Sequence, residues 1–323
     1  MQLSYGIKSR LRTMTMVFAL LAIWAVFHAV THGAFLQPRN LSNLFRQMSI
    51  TGILATGMVL VIVAGHIDLS VGSTVAFLGA VMAILTTNRG LDPTLAFGVT
   101  LILGLAIGGA QGYLVSYQRI PAFIVTLGGM LAFRGAAMWI TQGNTVPLGE
   151  NWIATLGTAY VPSPIGWALA IFGVSLLVLS TWWGRRSARR SGLSVEAAWK
   201  ATGRTAGISV LVLGFMDIMA RYEGIPIPVL VMLALMLLFH FLATHTTFGR
   251  HVYAIGGNQE AAYMSGIPVR RRSLGVFLCM GGLSVVAAAV LTARVGSASP
   301  DAGQLLELDA IASCVIGGTS LMG

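Results

Sequence analysis

Apolar runs of about 20 residues recur along the whole chain, separated by short polar or basic stretches, and that recurrence decides which solvent the protein needs. An α-helix rising about 1.5 Å per residue takes about 20 apolar residues to cross roughly 30 Å of hydrocarbon. Ten runs qualify as candidate spans: 14–30, 48–64, 71–87, 94–117, 122–141, 165–183, 206–220, 227–244, 274–293 and 305–321. Composition agrees, with 56% hydrophobic residues and only 9% charged. A water-soluble domain carries about a quarter charged residues to wet its surface. The expected fold is therefore all-α: a polytopic transmembrane helical bundle of about ten spans, built as a single membrane-spanning domain over residues 1–323.

The formal charge of +10 invites comparison with nucleic-acid binders, so the positions of the charges matter. Basic residues fall between the apolar runs: Lys8, Arg10 and Arg12; Arg185, Arg186, Arg189, Arg190, Lys200 and Arg204; and Arg250, Arg270, Arg271 and Arg272. Short basic loops stay in the cytoplasm. With the N-terminus inside, six spans precede the basic loop at 185–205 and eight precede the loop at 247–272. Both then lie in the cytoplasm. The stretch 142–164, with no basic residue, falls outside. A basic face interleaved with aromatics, which a nucleic-acid partner would need, is absent. The apolar run at 14–30 is long for a signal-peptide core and reads as an uncleaved first span. At the other end, the run 305–321 reaches Gly323 without a polar tail, which predicts a chain truncated at its C-terminus.

Glycine numbers 39 residues. In a membrane glycine lets helices approach closely, so Gly104, Gly108 and Gly112, spaced by four, predict a tight helix contact. The residues for covalent and metal chemistry are missing. Cys279 and Cys314 both lie in apolar runs, and no disulfide or zinc spacing exists. The histidines at 28, 32, 66, 240, 245 and 251 form no ligand pattern, and no nucleophile stands with a base. The only lysines, Lys8 and Lys200, are not in a phosphate-binding glycine loop. This polypeptide is expected to bind no cofactor and no metal and to catalyse nothing; ATP-driven work would need a partner.

Residues 249–268 read as a cytoplasmic segment whose second half is a short helix. Asn258 is a good N-cap, Glu260 suits the positive end of the helix dipole, Gly266 fits the residue after the C-cap, and Pro268 prevents continuation. Small Ala261 and Ala262 would let such a helix press into a groove on another protein. An ordinary cytoplasmic turn is the alternative.

Glu260-Ala261-Ala262, with Gly266 following, resembles the coupling element of the permease subunits of ATP-binding-cassette (ABC) importers. Its surroundings resemble the ribose/xylose-type monosaccharide importers. Four further stretches resemble that family in the same order: 39–44, 67–73, 121–128, and 307–312 running into Gly317-Gly318-Thr319-Ser320-Leu321. The hydrophobic segments 165–183 and 206–220, flanking the basic loop, look like the xylose kind. The resemblance implies import of a monosaccharide, D-xylose first, across the bacterial inner membrane. It further implies a homodimer of permeases in the lipid bilayer, a cytoplasmic ABC ATPase that uses the ATP, and a periplasmic sugar-binding protein. Asn258, Glu260, Ala261, Ala262 and Gly266 would be the ATPase-coupling residues. Family members continue past Leu321, which fits the expected truncation.

Candidates for the translocation path are Asp68, Ser70, Ser73, Arg134, Glu307 and Asp309. A carboxylate at membrane depth is costly and marks a pathway or a pair. Asp68 is either a helix cap in a tight turn with Ser70 or part of a broken helix lining a cavity. Arg134 lies about 18 Å along its helix, either reaching outward or paired with a carboxylate. Glu307 and Asp309 cap the last run or face the route, capping being the plainer assignment. An ion-coupled secondary transporter is the rival class; it would use intramembrane carboxylates as coupling sites, and Asp68, Asp217 and Glu307 are thin material for that.

Overall fold

The computed structural model describes residues 2–192 and 197–320, and the chain is helical almost throughout. The helices are α1 (Gln2–Val30), α2 (Pro38–Val63), α3 (Val71–Ala83, continued by a π turn Ile84–Asn88), α4 (Pro93–Ser116), α5 (Ala122–Thr141), α6 (Trp152–Thr158), α7 (Ser163–Arg190), α8 (Ala198–Ala220), α9 (Ile227–His245), α10 (Thr247–Gly257), α11 (Gln259–Met264), α12 (Val269–Val295) and α13 (Leu306–Ile316). Among the described residues, eight helices are long and apolar enough to cross a membrane, and α1 adds an apolar stretch at Val17–Val30. The polytopic all-α class stands.

Three boundaries differ from the sequence expectation. The apolar run 305–321 yields only the 11 residues of α13, about 16 Å of helix and well short of a span. Leu305 at φ 65° starts it late, and Gly318 at φ 103° turns the chain soon after it ends. The basic loop 185–205 is mostly helix, with α7 running to Arg190 and α8 beginning at Ala198. Long apolar helices extend beyond the bilayer wherever basic residues still favour helix. The loop 247–272 is likewise two short helices and the start of α12. Residues 193–196 of the basic loop, the end of the last run at 321–323, and the side chains of Lys8, Arg10 and Arg12 lie outside the described residues.

The chain divides into two compact units. The first comprises Met1–Phe45 and Val161–Ile225. Its α7 and α8 form an antiparallel pair in which Gly166 admits the Met216 side chain, and Phe45 meets Phe215 edge-on at 4.9 Å. Phe35, beyond α1, stacks on Phe27 at 5.5 Å.

The second unit comprises Arg46–Tyr160 and Pro226–Gly323. Its core gathers Ile53, Leu54 and Met58 of α2, Leu78 and Met82 of α3, and Met280 and Leu283 of α12. In lipid the apolar surroundings give no hydrophobic drive between helices, so close packing must hold them together. The glycine seam expected on α4 provides it. A side chain at Gly108 would collide with the Phe277 carbonyl, and one at Gly281 with the Gly104 carbonyl. Gly112 also lies against Phe277 and Leu274.

Local signals set the helix ends. Asp92 precedes Pro93 and accepts from the N–H groups of Thr94 (2.8 Å) and Leu95 (3.3 Å), which caps α4 and holds the Asp92 carboxyl below its ordinary pKa. Asn151 does the same for α6, accepting from Ile153 and Ala154. Val146–Pro147 pairs antiparallel with Ser297–Ala298.

Candidate functional site

Between α2 and α3 the chain leaves helical geometry over residues 66–70. Asp68 is 2% exposed there, and its Oδ1 accepts from both the backbone N–H (2.8 Å) and the hydroxyl (2.7 Å) of Ser70. Ser70 in turn accepts from Gln111 Nε2 of α4 at 2.8 Å. Ser73 donates its hydroxyl to the Ser70 carbonyl at 2.9 Å. From α5, Thr126 donates to the Ile67 carbonyl at 3.2 Å, and from α12, Ser273 stands 3.4 Å from His66 Nε2. The geometry gives Asp68 the first of its two readings, a hydrogen-bonded turn with Ser70 between α2 and α3. The bond from α5 satisfies a backbone carbonyl of the non-helical segment, while α4 and α12 meet the side chains of Ser70 and His66.

Glu307 belongs to the same buried region. It is 8% exposed, and its carboxylate lies against Gly72. Among the described residues its Oε2 has no hydrogen-bond partner. The capping role expected of it is not what the geometry gives. The N-cap of α13 is Leu305, in the left-handed region with no side-chain cap bond, and Glu307 is turned into the core. Asp309 is exposed on α13.

Of the two expectations for Arg134, the carboxylate pair is not what the geometry gives. Its Nη1 donates to two carbonyls, Pro300 at 2.7 Å and Ala302 at 2.8 Å, so the charge is answered by backbone dipoles and not by a carboxylate. Arg134 thereby fixes the loop leading into α13. Asp217, one of the acids named for an ion-coupled mechanism, is half-exposed and paired with Arg221 at 2.8 Å. Among the described residues no cluster of three or more His, Cys, Asp or Glu stands ready for a metal ion.

The segment after α9 carries the second constellation. Asn258 accepts from the Ala261 N–H at 2.9 Å and starts α11, with Glu260 in the first turn. At the other end the Ile267 N–H bonds to the Ala262 carbonyl (3.1 Å) and the Gly266 N–H to the Tyr263 carbonyl (2.9 Å). This paired closure requires the left-handed φ of 80° that Gly266 adopts. Ala262 is turned inward onto Ile255, Val269 and Ile267, so of the two small residues only Ala261 faces out. Tyr263 and Met264 are exposed at 68% and 83%, large apolar surface on a helix outside the spans. That surface calls for a partner.

Sequence reasoning missed Gln111 and Ser273, and marked Gly72 and Thr126 only as members of the stretches 67–73 and 121–128, without a role. Gln111 and Thr126, polar letters inside apolar runs, were the available signal.

Eight membrane-length helices, a polar break between two of them and a capped helix projecting between α10 and α12 define a multi-pass membrane permease. The chain belongs to the family described as branched-chain amino acid transport system / permease component, which matches residues 40–323. It is 46% identical over 319 residues to the xylose transport system permease protein of Escherichia coli (strain K12), covering 98% of this chain and 81% of that one. The corresponding Haemophilus influenzae xylose permease protein is 45% identical over 313 residues, covering 97% and 84%. The ribose import permease protein of Bacillus subtilis is 34% identical over 306 residues, covering 95% and 76%. No solved structure matches the chain. The family and the helices together make it a multi-pass protein of the inner membrane.

Proposed function

We propose that the chain is the membrane-spanning permease subunit of an ABC importer that brings a monosaccharide, D-xylose foremost, into the cytoplasm. The observation that carries the choice of sugar is the 46% identity to a xylose transport permease over nearly the whole chain, against 34% to a ribose permease. ATP would be bound and hydrolysed on a separate cytoplasmic ATPase, with a periplasmic sugar-binding protein delivering substrate and a second permease copy completing the complex. The basic segments at 185–205 and 247–272 support a reading with the N-terminus and α11 on the cytoplasmic side.

The geometry supports a route for the coupling. A push on Glu260, Ala261, Tyr263 or Met264 reaches α12 through the Ala262–Val269 contact and the short Ile267-Pro268 link. From α12 it passes along the glycine seam to α4 and through Ser273 to His66 in the helix break. Asp68, Ser70, Ser73 and Glu307 lie at the far end of that chain. Two arrangements of the break, one for each state of the ATPase, would open the sugar path alternately to the two sides.

Affinity-tagged chain purified from membranes in mild detergent is expected to bring down a soluble ATPase. Hydrolysis by that complex should rise when sugar-loaded binding protein is added. A chain that purifies without an ATPase, or a complex whose hydrolysis ignores the loaded binding protein, contradicts the reading.

A further inference from the structure

A cavity of about 1450 Å³ opens in the second unit between the end of α4, the start of α5, α11 and the first turn of α12, with Gly65, His66 and Ile67 of the helix break also in its wall. Three guanidinium groups, Arg119, Arg270 and Arg271, line it against a single carboxylate, Glu260. Among the described residues none of these arginines is within ion-pair distance of an acid. Arg272, their neighbour in sequence, is engaged elsewhere, its Nε donating to His251 Nδ1 at 3.0 Å. Arg119 sits at φ 59°, a left-handed conformation that a residue with a Cβ seldom holds and that the surrounding structure must enforce. The Arg270 guanidinium lies 5.9 Å from the Tyr117 ring centre.

The start of α5 adds to the positive potential. Ala122 and Phe123 line the cavity, and the first N–H groups of a helix precede its own hydrogen-bond ladder. All three arginines are exposed, and positive charges clustered at one concave surface attract an anion more strongly than the same charges spread apart. A neutral sugar would leave that charge uncompensated.

The surroundings say what carries the anion. Beside the cavity, Tyr113 and Leu114 at the end of α4 and Phe123 and Ile124 at the start of α5 are all exposed, apolar surface next to the charged one. Tyr113 and Tyr117 stack at 5.4 Å where such rings sit at a headgroup boundary. Basic pockets between spans at the cytoplasmic side suit anionic headgroups. We propose that this cavity binds the phosphate group of an acidic phospholipid, with the lipid's acyl chains lying along the exposed face of α4 and α5. His66, Ser273, Glu260, Tyr263 and Met264 of the proposed coupling route line the same cavity, so the site rests on that reading for its cytoplasmic placement, while its test reads lipid binding apart from transport.

The test uses the full chain purified in detergent, with binding of dioleoylphosphatidylglycerol measured by native mass spectrometry against dioleoylphosphatidylcholine, which has the same acyl chains. Inorganic phosphate is added alone in a separate arm. Wild-type protein should prefer the phosphatidylglycerol. The preference should fall by at least about tenfold in the triple variant Arg119→Gln, Arg270→Gln, Arg271→Gln. A control that removes three basic charges from α7, Arg186→Gln, Arg189→Gln, Arg190→Gln, should keep it within about twofold. Equal binding of the two lipids by wild-type protein overturns the site, and that comparison needs no variant to fold. Equal loss in both triple variants overturns it too, since only net charge would then matter. If inorganic phosphate alone displaces the phosphatidylglycerol at millimolar concentration, the cavity takes a soluble anion and the lipid assignment fails.

Discussion

The carboxylate of Glu307 rests directly on Gly72, occupying the space that any side chain at position 72 would need. The carbonyl of Gly303 closes the same space from the other side. A methyl group at Gly72 therefore has nowhere to go without moving α13 away from α3. Gly72→Ala is expected to destabilise the protein by about 1–3 kcal/mol, the usual cost of overpacking a filled interior. Thermal unfolding in detergent would show it as a lowered midpoint. An unchanged midpoint would mean that α13 does not pack on α3 as described.

Asp68 offers a way to separate geometry from charge. Its Oδ1 accepts two hydrogen bonds from Ser70, and an amide oxygen in the same place can accept both. Asp68→Asn should therefore unfold within about 1 kcal/mol of wild type, whereas Asp68→Ala, which leaves the Ser70 donors unanswered in a buried site, should lose about 1–3 kcal/mol. Equal loss in both variants would show that the negative charge, not the turn, holds the break together.

At α11 the decisive residue is Gly266. A β-branched side chain strains the left-handed conformation on which the helix closure depends, at about 1–3 kcal/mol locally. Gly266→Val is expected to abolish sugar-stimulated ATP hydrolysis in the assembled importer while leaving membrane insertion and permease abundance unchanged. Asn, which tolerates that conformation, should retain part of the coupling. Wild-type coupling in the valine variant would remove α11 from the mechanism.

These sites were legible in the sequence to different degrees, for a physical reason. Asn258, Glu260 and Gly266 act on backbone groups within a few residues, so their letters alone announce α11 and its ends. The glycine seam was legible too, because spacing by four puts Gly104, Gly108 and Gly112 on one helix face whatever the partner. Gln111 could not be assigned to Ser70, 41 positions away, because that bond exists only once α4 packs beside the break. Arg134 was expected to want a carboxylate, and found the carbonyls of Pro300 and Ala302 instead. Backbone acceptors are present at every residue and leave no mark in the sequence. The short helices α6 and α10 fell inside stretches read as loops, since seven and 11 residues are too few for a clear apolar period.

The cytoplasmic placement of the basic segments can be read by cysteine labelling in a variant with Cys279 and Cys314 replaced by alanine. Ser187 and Glu150 are both exposed, on segments that the spans assign to opposite sides. With an impermeant thiol reagent on intact cells, Ser187→Cys should stay unlabelled until the cells are opened, and Glu150→Cys should label at once. Labelling of Ser187→Cys in intact cells would invert the topology and move α11 away from any cytoplasmic ATPase.

The central claim is that this chain carries a sugar inward at the expense of ATP hydrolysed on another subunit. Its most direct test is uptake of radiolabelled D-xylose into proteoliposomes holding this chain and its ATPase, with ATP sealed inside and sugar-binding protein outside. Accumulation should require ATP, the ATPase and the binding protein together, and should persist when a protonophore collapses any proton gradient. Uptake driven by an imposed proton or sodium gradient without ATP would contradict that claim and return the buried Asp68 and Glu307 to the role of ion-coupling sites.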